Sequence, residues 1–363
     1  MSKFHRLPIA RVERETRDAV AITFAVPPVL AEAFRFEPGQ HLSVRADIGG
    51  ADVRRTYSIC AAPADGELRI AIKRNPGGVF SNWANDTLKP GDALEATPPT
   101  GHFGALADAA AAVRGRRYVG FAAGSGITPL LSIVKTVLSG EPRSEFTLFY
   151  GNRASGTVMF KEELAGLKDR FLARFNLVHV LSREAQDIDL LHGRIDRDKA
   201  DQLLARWVDL AGIDTVYVCG PEGMMESVTG ALAARGVPEA KVRVERFATS
   251  LPRHVHVPQK AVDPGHAQCE VTVILDGATR TFTLDKATEN ILEAGLKHGV
   301  ELPYSCKSGV CSTCRCKLVE GEVDMDVNFA LEDYEVARGF ILSCQSYPVT
   351  DKVVIDYDQT GMG

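Results

Sequence analysis

Four cysteines constrain this chain more than any other feature. Cys306, Cys311 and Cys314 form a Cys-x4-Cys-x2-Cys run, and Cys344 follows well downstream in Leu342-Ser343-Cys344-Gln345. That spacing is the ligand pattern of a plant-type 2Fe–2S cluster, in which four thiolates complete the inner shell of two irons. The intervening residues, Lys307-Ser308-Gly309-Val310 and Ser312-Thr313, are small or flexible. They let backbone N–H groups turn inward toward anionic sulfur, which favours the reduced cluster. A structural zinc site would show two Cys-x2-Cys pairs or added His ligands, and only one such pair is present. Single-electron transfer is the chemistry this pattern implies.

With 363 residues, the chain has room for two or three domains. Its 45% hydrophobic and 25% charged residues are those of an ordinary globular protein. A formal charge of -5 gives no reason to expect nucleic acid or an anionic membrane as a partner. No apolar run approaches the ~20 residues of a membrane span. The opening Met1-Ser2-Lys3-Phe4-His5-Arg6-Leu7-Pro8 lacks the apolar core of a signal peptide. The remaining Cys60, Cys219, Cys269 and Cys316 do not make a disulfide framework, so a reducing, cytoplasmic location is expected.

The fold class expected is multidomain. Residues 1–105 read as short strands with alternating apolar positions (Val20, Ile22, Phe24, Val26; Leu68, Ile70, Ile72). Gly- and Pro-rich turns separate them, which indicates an antiparallel β-barrel. After an Ala-rich stretch at 105–112, residues 113–247 alternate apolar strands with helices. The strands lie at 118–121, 146–150, 177–181, 215–219 and 242–244, and the pattern indicates an α/β domain with a parallel sheet. Residues 248–267, with Pro252, Pro258, Pro264 and Gly265, read as a linker. The last region, 268–363, opens with a hairpin turning at Asp276-Gly277 and a helix ending before Gly299, then enters the cysteine loop.

Two segments of the first domain have ligand-binding character. In Arg55-Thr56-Tyr57-Ser58, alternation puts Arg55 and Tyr57 on one face. A guanidinium suits a diphosphate, a phenol can lie on an aromatic ring, and Ser58 across the pleat can hydrogen-bond a ring nitrogen. Gly77-Gly78-Val79-Phe80-Ser81 is a Gly-rich turn opening a helix, where backbone N–H groups hold phosphate. A snorkelling surface Arg and a helix cap by Ser81 are the bland alternatives. In the second domain, Gly124-Ser125-Gly126-Ile127-Thr128-Pro129 sits between a strand and a helix, and its glycines let backbone approach a pyrophosphate. Cys219-Gly220-Pro221 ends a later strand at the carboxyl edge of the sheet, where ligands bind; a buried strand-end thiol is the alternative for Cys219.

Together these motifs resemble the ferredoxin–NADP reductase superfamily across essentially the whole chain, with a C-terminal ferredoxin of β-grasp-like α+β fold. The resemblance implies FAD on Arg55, Tyr57, Ser58, Gly78, Val79, Phe80 and Ser81, with Ser81 favouring FAD over FMN and Phe247 over the flavin. It implies a nicotinamide cofactor on Gly124, Gly126, Thr128, Cys219, Gly220 and Pro221. Cys219 would lie beside the nicotinamide, with Ser58 and Glu245 assisting hydride transfer. Ser182 and Arg183 match the position that binds the 2′-phosphate of NADPH, and Arg153 adds a second positive charge. Phe4-His5-Arg6-Leu7, the string Ser308–Cys316 and Glu245-Arg246-Phe247 most resemble the reductase subunits of bacterial phenylacetyl-CoA epoxidases. The implied route is NADPH to FAD to 2Fe–2S to a separate, di-iron oxygenase. A reductase of another di-iron or Rieske oxygenase is the alternative, and a redox sensor is a more distant one.

Overall fold

The computed structural model describes residues 4–104, 114–248 and 267–359. The alanine-rich stretch and all but the two ends of the expected linker lie outside them. Residues 4–246 form one compact unit, and the described residues from 247 onward form a second.

The first unit begins with a six-stranded antiparallel sheet in the order β4-β3-β6-β1-β2-β5. Its strands are β1 His5–Thr16, β2 Ala19–Phe24, β3 His41–Ile48, β4 Ala51–Ser58, β5 Leu68–Lys73 and β6 Ala93–Ala96. A bridge between Ile59 and Ile70 joins the two edge strands, closing the expected barrel. The long β1 pairs with β6 through His5–Pro8 and with β2 from Ile9 onward, shifting register between Ile9 and Arg11. Such a bulge lets one strand serve two neighbours. Leu7, Val20, Ile22, Leu42, Val44, Ile70 and Ile72 fill the interior, and helix α1, Val79–Thr87, buries Phe80 and Ala84 against it.

The same unit continues as a five-stranded parallel sheet in the order β11-β10-β7-β8-β9. These strands are β7 Arg117–Ala123, β8 Glu145–Asn152, β9 Phe175–Leu181, β10 Thr215–Cys219 and β11 Val242–Glu245. The chain moves outward from β7 to β9 and then returns to the other side of β7. The switch point, where ligands bind in such sheets, therefore lies between the ends of β7 and β10. Helices α2 Ile127–Gly140, α3 Lys161–Arg170 and α5 Glu222–Ala234 lie where apolar periodicity places them. Helix α4, Arg197–Trp207, was not foreseen. It buries only Ala200, Leu203 and Leu204 among charged neighbours and starts from Asp196, whose carboxylate accepts from Lys199 N. Its apolar stripe is too thin to stand out in the sequence.

The second unit is built on a mixed sheet in the order β13-β12-β18-β14-β16, with β12 and β18 parallel. Its strands are β12 Gln268–Leu275, β13 Ala278–Asp285, β14 Arg315–Glu320, β16 Phe340–Leu342 and β18 Lys352–Asp356, and β15 Val323–Met325 pairs with β17 Ser346–Pro348. The hairpin turn has positive φ at both Asp276 and Gly277, as a type I′ turn requires. Helix α6, Ile291–Lys297, is capped by Asn290 and buries Ile291, Leu292 and Ala294. Strands β14 to β18 and the short helix α7, Asp333–Ala337, were not foreseen, because segments of three to six residues show no usable periodicity.

Candidate functional site

Ser58 ends β4 and Glu245 ends β11, and the two meet: Ser58 Oγ donates to Glu245 Oε2 at 3.3 Å. Residues far apart in sequence thus close one cleft between barrel and nucleotide domain. His41, the strand partner of Ser58, places Nδ1 3.8 Å from Glu245 Oε1. The His41 ring also meets Thr100 Oγ1 at 3.4 Å. Beside it, Gly101 has φ +116, and a Cβ there would approach His41 Nδ1 to 3.0 Å. Sequence reasoning missed His41. Its signal was a lone His opening a strand in which Leu42 and Val44 alternate with polar residues.

Cys219 is the register partner of Glu245 in the parallel pair β10–β11 and is fully buried. Burial and the Glu245 charge hold its thiol well above the ordinary range. Gly126 packs so tightly here that a Cβ would stand 2.1 Å from the Cys219 carbonyl oxygen. Gly124 has φ +55, and Gly124–Gly126 makes one 3-10 turn running into α2. Thr128 braces the turn by donating to Ser125 O at 2.9 Å. Gly220 abuts Met224 and Ala123, and Pro221 precedes the first residue of α5. These residues leave two helix starts at the switch point, with backbone donors suited to a pyrophosphate.

Lys73, also missed, ends β5, and its Nζ lies 3.3 Å from where a Gly124 Cβ would be. Burial, and after it the charge of Arg153, lower its pKa. Arg153 and Arg183 are exposed and stand on adjacent loops, tied by Ser182 N to Asn152 O at 2.9 Å and Arg183 N to Arg153 O at 2.7 Å. Glu184 accepts from Ser155 N at 2.7 Å and Ser155 Oγ at 2.9 Å, which holds its carboxyl below the usual range.

At the barrel end, Tyr57 and Phe80 lie with ring centroids 5.8 Å apart, and burial pushes the Tyr57 phenol up. Arg55 is exposed, its Nη1 donating to Arg54 O. Gly78 precedes α1, whose first N–H groups have no side-chain cap. Ser81 Oγ accepts from Asn75 N at 3.0 Å and donates to Gly78 O at 3.4 Å. That hydroxyl braces the turn, and phosphate would be held by the N–H groups of Val79, Phe80 and Ser81. Phe247 begins the second unit, half-buried.

In that second unit the cysteine loop has the geometry of a binuclear site. Cys311 Sγ lies 3.1 Å from Cys306 Sγ, and the Cys314 and Cys344 thiols are hydrogen-bonded to each other. Among the described residues no three His, Cys, Asp or Glu side chains gather as a single ion needs. The sulfurs stand instead as two pairs, and two irons would take two thiolates each. Ser308 N donates to Cys306 Sγ at 3.4 Å, and Gln345 Nε2 to Cys344 Sγ at 3.6 Å. Gly309, φ +70, lets the loop pass Val327, whose carbonyl would lie 2.6 Å from any Cβ. The residues present fit a 2Fe–2S cluster. Cys316 is buried in the apolar core beyond them, its pKa raised by that burial although Tyr357 hydrogen-bonds it.

Three family models match successive stretches: an oxidoreductase FAD-binding domain over residues 6–104, an oxidoreductase NAD-binding domain over 121–230 and a 2Fe-2S iron-sulfur cluster binding domain over 273–349. The chain is 46% identical, over 100% of both sequences, to a subunit of the 1,2-phenylacetyl-CoA epoxidase of Escherichia coli K12. The chain belongs to the ferredoxin reductase components of oxygenases. A second member, the 3-ketosteroid-9-alpha-monooxygenase ferredoxin reductase component of Rhodococcus rhodochrous, is 33% identical, with 97% of this chain and 96% of that one covered. The crystal structure of phthalate dioxygenase reductase aligns over 97% of this chain and 98% of its own with a TM-score of 0.58 and 26% identity. Like these ferredoxin reductase components, the chain is an oxidoreductase with FAD-binding, NAD-binding and 2Fe–2S domains. No helix among the described residues is long and apolar enough to cross a membrane.

Proposed function

We propose that this chain takes hydride from NADPH at the cleft of Cys219, Ser58 and Glu245 and releases single electrons through Cys306, Cys311, Cys314 and Cys344 to a separate di-iron oxygenase, of the phenylacetyl-CoA epoxidase type. One observation carries the reading: the Ser58–Glu245 contact and the two thiol pairs share a chain that aligns end to end with a component of that epoxidase. Bound flavin supplies the exchange between a two-electron donor and a one-electron acceptor. The chain's own part is to orient the reactants. Buried Cys219 and Gly126 bring one ligand face close, Ser58 holds the Glu245 carboxylate, and the glycine turn with Lys73 and Arg153 receives phosphate.

Arg183 and Arg153 support NADPH over NADH, since a 2′-phosphate needs cations, and the neighbouring Glu184 carboxylate is engaged by Ser155. Arg183→Ala is expected to raise the KM for NADPH by about ten-fold and leave that for NADH within about two-fold. Equal effects on both would remove Arg183 from 2′-phosphate recognition. For the partner, NADPH oxidation by the purified chain should couple to ring epoxidation when di-iron epoxidase components are added, and should not couple to turnover of a Rieske oxygenase. The opposite outcome would favour a Rieske oxygenase as the partner.

A further inference from the structure

A partly buried group of charges between barrel and nucleotide domain stands apart from the residues that meet hydride donor and cluster. Arg69 of β5 points Nη2 at both oxygens of Glu163 in α3, at 2.9 and 2.8 Å, and at the Cys60 carbonyl at 3.2 Å. Lys135 of α2 reaches the same carboxylate at 2.6 Å and the barrel's Asp65 at 2.6 Å. Burial alone would lower Lys135, but Asp65 and Glu163 outweigh it and its pKa is raised. Ser132, one turn earlier in α2, donates to Ala61 O at 2.6 Å. Glu15 of β1 accepts from Phe160 N at 3.0 Å. Phe160, directly before α3, is a bulky residue held at φ +56 with its ring 5.3 Å from Arg69 Cζ. A left-handed aromatic is costly and persists only where its surroundings dictate it.

Both ends of this network run into the cleft. Ile59, next after Ser58, bridges Ile70, and Cys60 N donates to Arg69 O at 2.9 Å. On the other side, α2 carries Ser132 and Lys135 and starts directly after Gly126, which abuts the Cys219 carbonyl. A short series of packed contacts therefore joins Ser58 in one domain to Cys219 in the other.

We infer that Arg69, Glu163, Lys135 and Asp65, with Glu15 on Phe160, form a clamp that sets the spacing of the two halves of the cleft, and so are positioning residues for hydride transfer. The inference rests on the proposed hydride cleft. Domains within a chain move against each other unless their interface is specific. Partly buried charges tolerate one arrangement because each is costly without its partner. Hydride transfer needs that precision, since a misplacement of about 1 Å costs on the order of a hundred-fold in rate.

The test uses the full chain with Glu163→Gln, which removes the shared charge at constant shape. Lys135→Gln decides the matter if the first variant does not fold. At saturating NADPH, anaerobic flavin reduction should slow by about ten-fold or more. The KM for NADPH should stay within about two-fold, and flavin content should be unchanged. Independently of activity, amide hydrogen exchange at Phe160 should quicken. Flavin reduction at the wild-type rate, or a loss that merely follows loss of flavin, would overturn the clamp. A wild-type chain that neither NADPH nor NADH reduces would overturn the cleft and the clamp with it.

Discussion

Cys314→Ser is expected to abolish the visible absorption of the iron–sulfur cluster and all electron supply to an oxygenase, while Cys316→Ser leaves both in place. The two thiols are two residues apart, and both are buried in the same core. Their partners differ. Cys314 is hydrogen-bonded to Cys344 and completes the second sulfur pair, whereas Cys316 points toward Tyr357, whose hydroxyl donates to Ser343 Oγ at 2.7 Å. Removing one of four thiolates leaves an iron without its inner shell. Replacing Cys316 by Ser exchanges a buried, weakly hydrogen-bonding thiol for a more polar hydroxyl, a cost of about 1–3 kcal/mol in stability and none in ligation. Iron content and the spectrum of the reduced protein read the difference directly. NADPH-dependent reduction of ferricyanide should stay within about two-fold in both variants, since the cysteines belong to a separate compact unit and share no partners with the residues around Ser58 and Glu245. Iron loss in Cys316→Ser with retention in Cys314→Ser would reverse the ligand assignment.

Ending the chain after Ala248 should have an equally complete effect of a different kind. Residues 4–246 form a compact unit with the barrel, the parallel sheet and the Ser58–Glu245 contact inside it. Such a fragment should fold, bind flavin and reduce ferricyanide with NADPH, because that small acceptor can reach the flavin itself. Support of the oxygenase should fall to background, since the thiol pairs of Cys306, Cys311, Cys314 and Cys344 lie wholly in the other unit. A fragment that still drives the oxygenase at the full-length rate would place the exit at the flavin and leave the cluster without a role.

Local patterns made much of the architecture legible. Strands β7 and β10, interior to the parallel sheet, are near-continuous apolar runs because both faces of such a sheet are covered, and Asp276-Gly277 announces its hairpin because both residues accept positive φ. The elements that escaped are those whose stability is not local. Helix α4 shows three buried apolar residues, and β15 to β17 are three residues each. Neither carries enough periodicity to be read without the core it packs on.

For the site, sequence alone determined the chemistry: four thiolates at cluster spacing, a glycine turn between strand and helix, and Cys-Gly-Pro at a strand end, each a matter of residue type at short range. The surroundings of Cys316, in the apolar core beside Tyr357, were decided only by tertiary structure. So were the meeting of Ser58 and His41 with Glu245, the placement of Lys73 beside Gly124, and the joining of Arg69 to Glu163. Those contacts span tens to hundreds of residues along the chain. Covalent spacing says nothing about such pairs, because they come together only when a closed barrel and a parallel sheet are packed against each other and their buried charges must find partners.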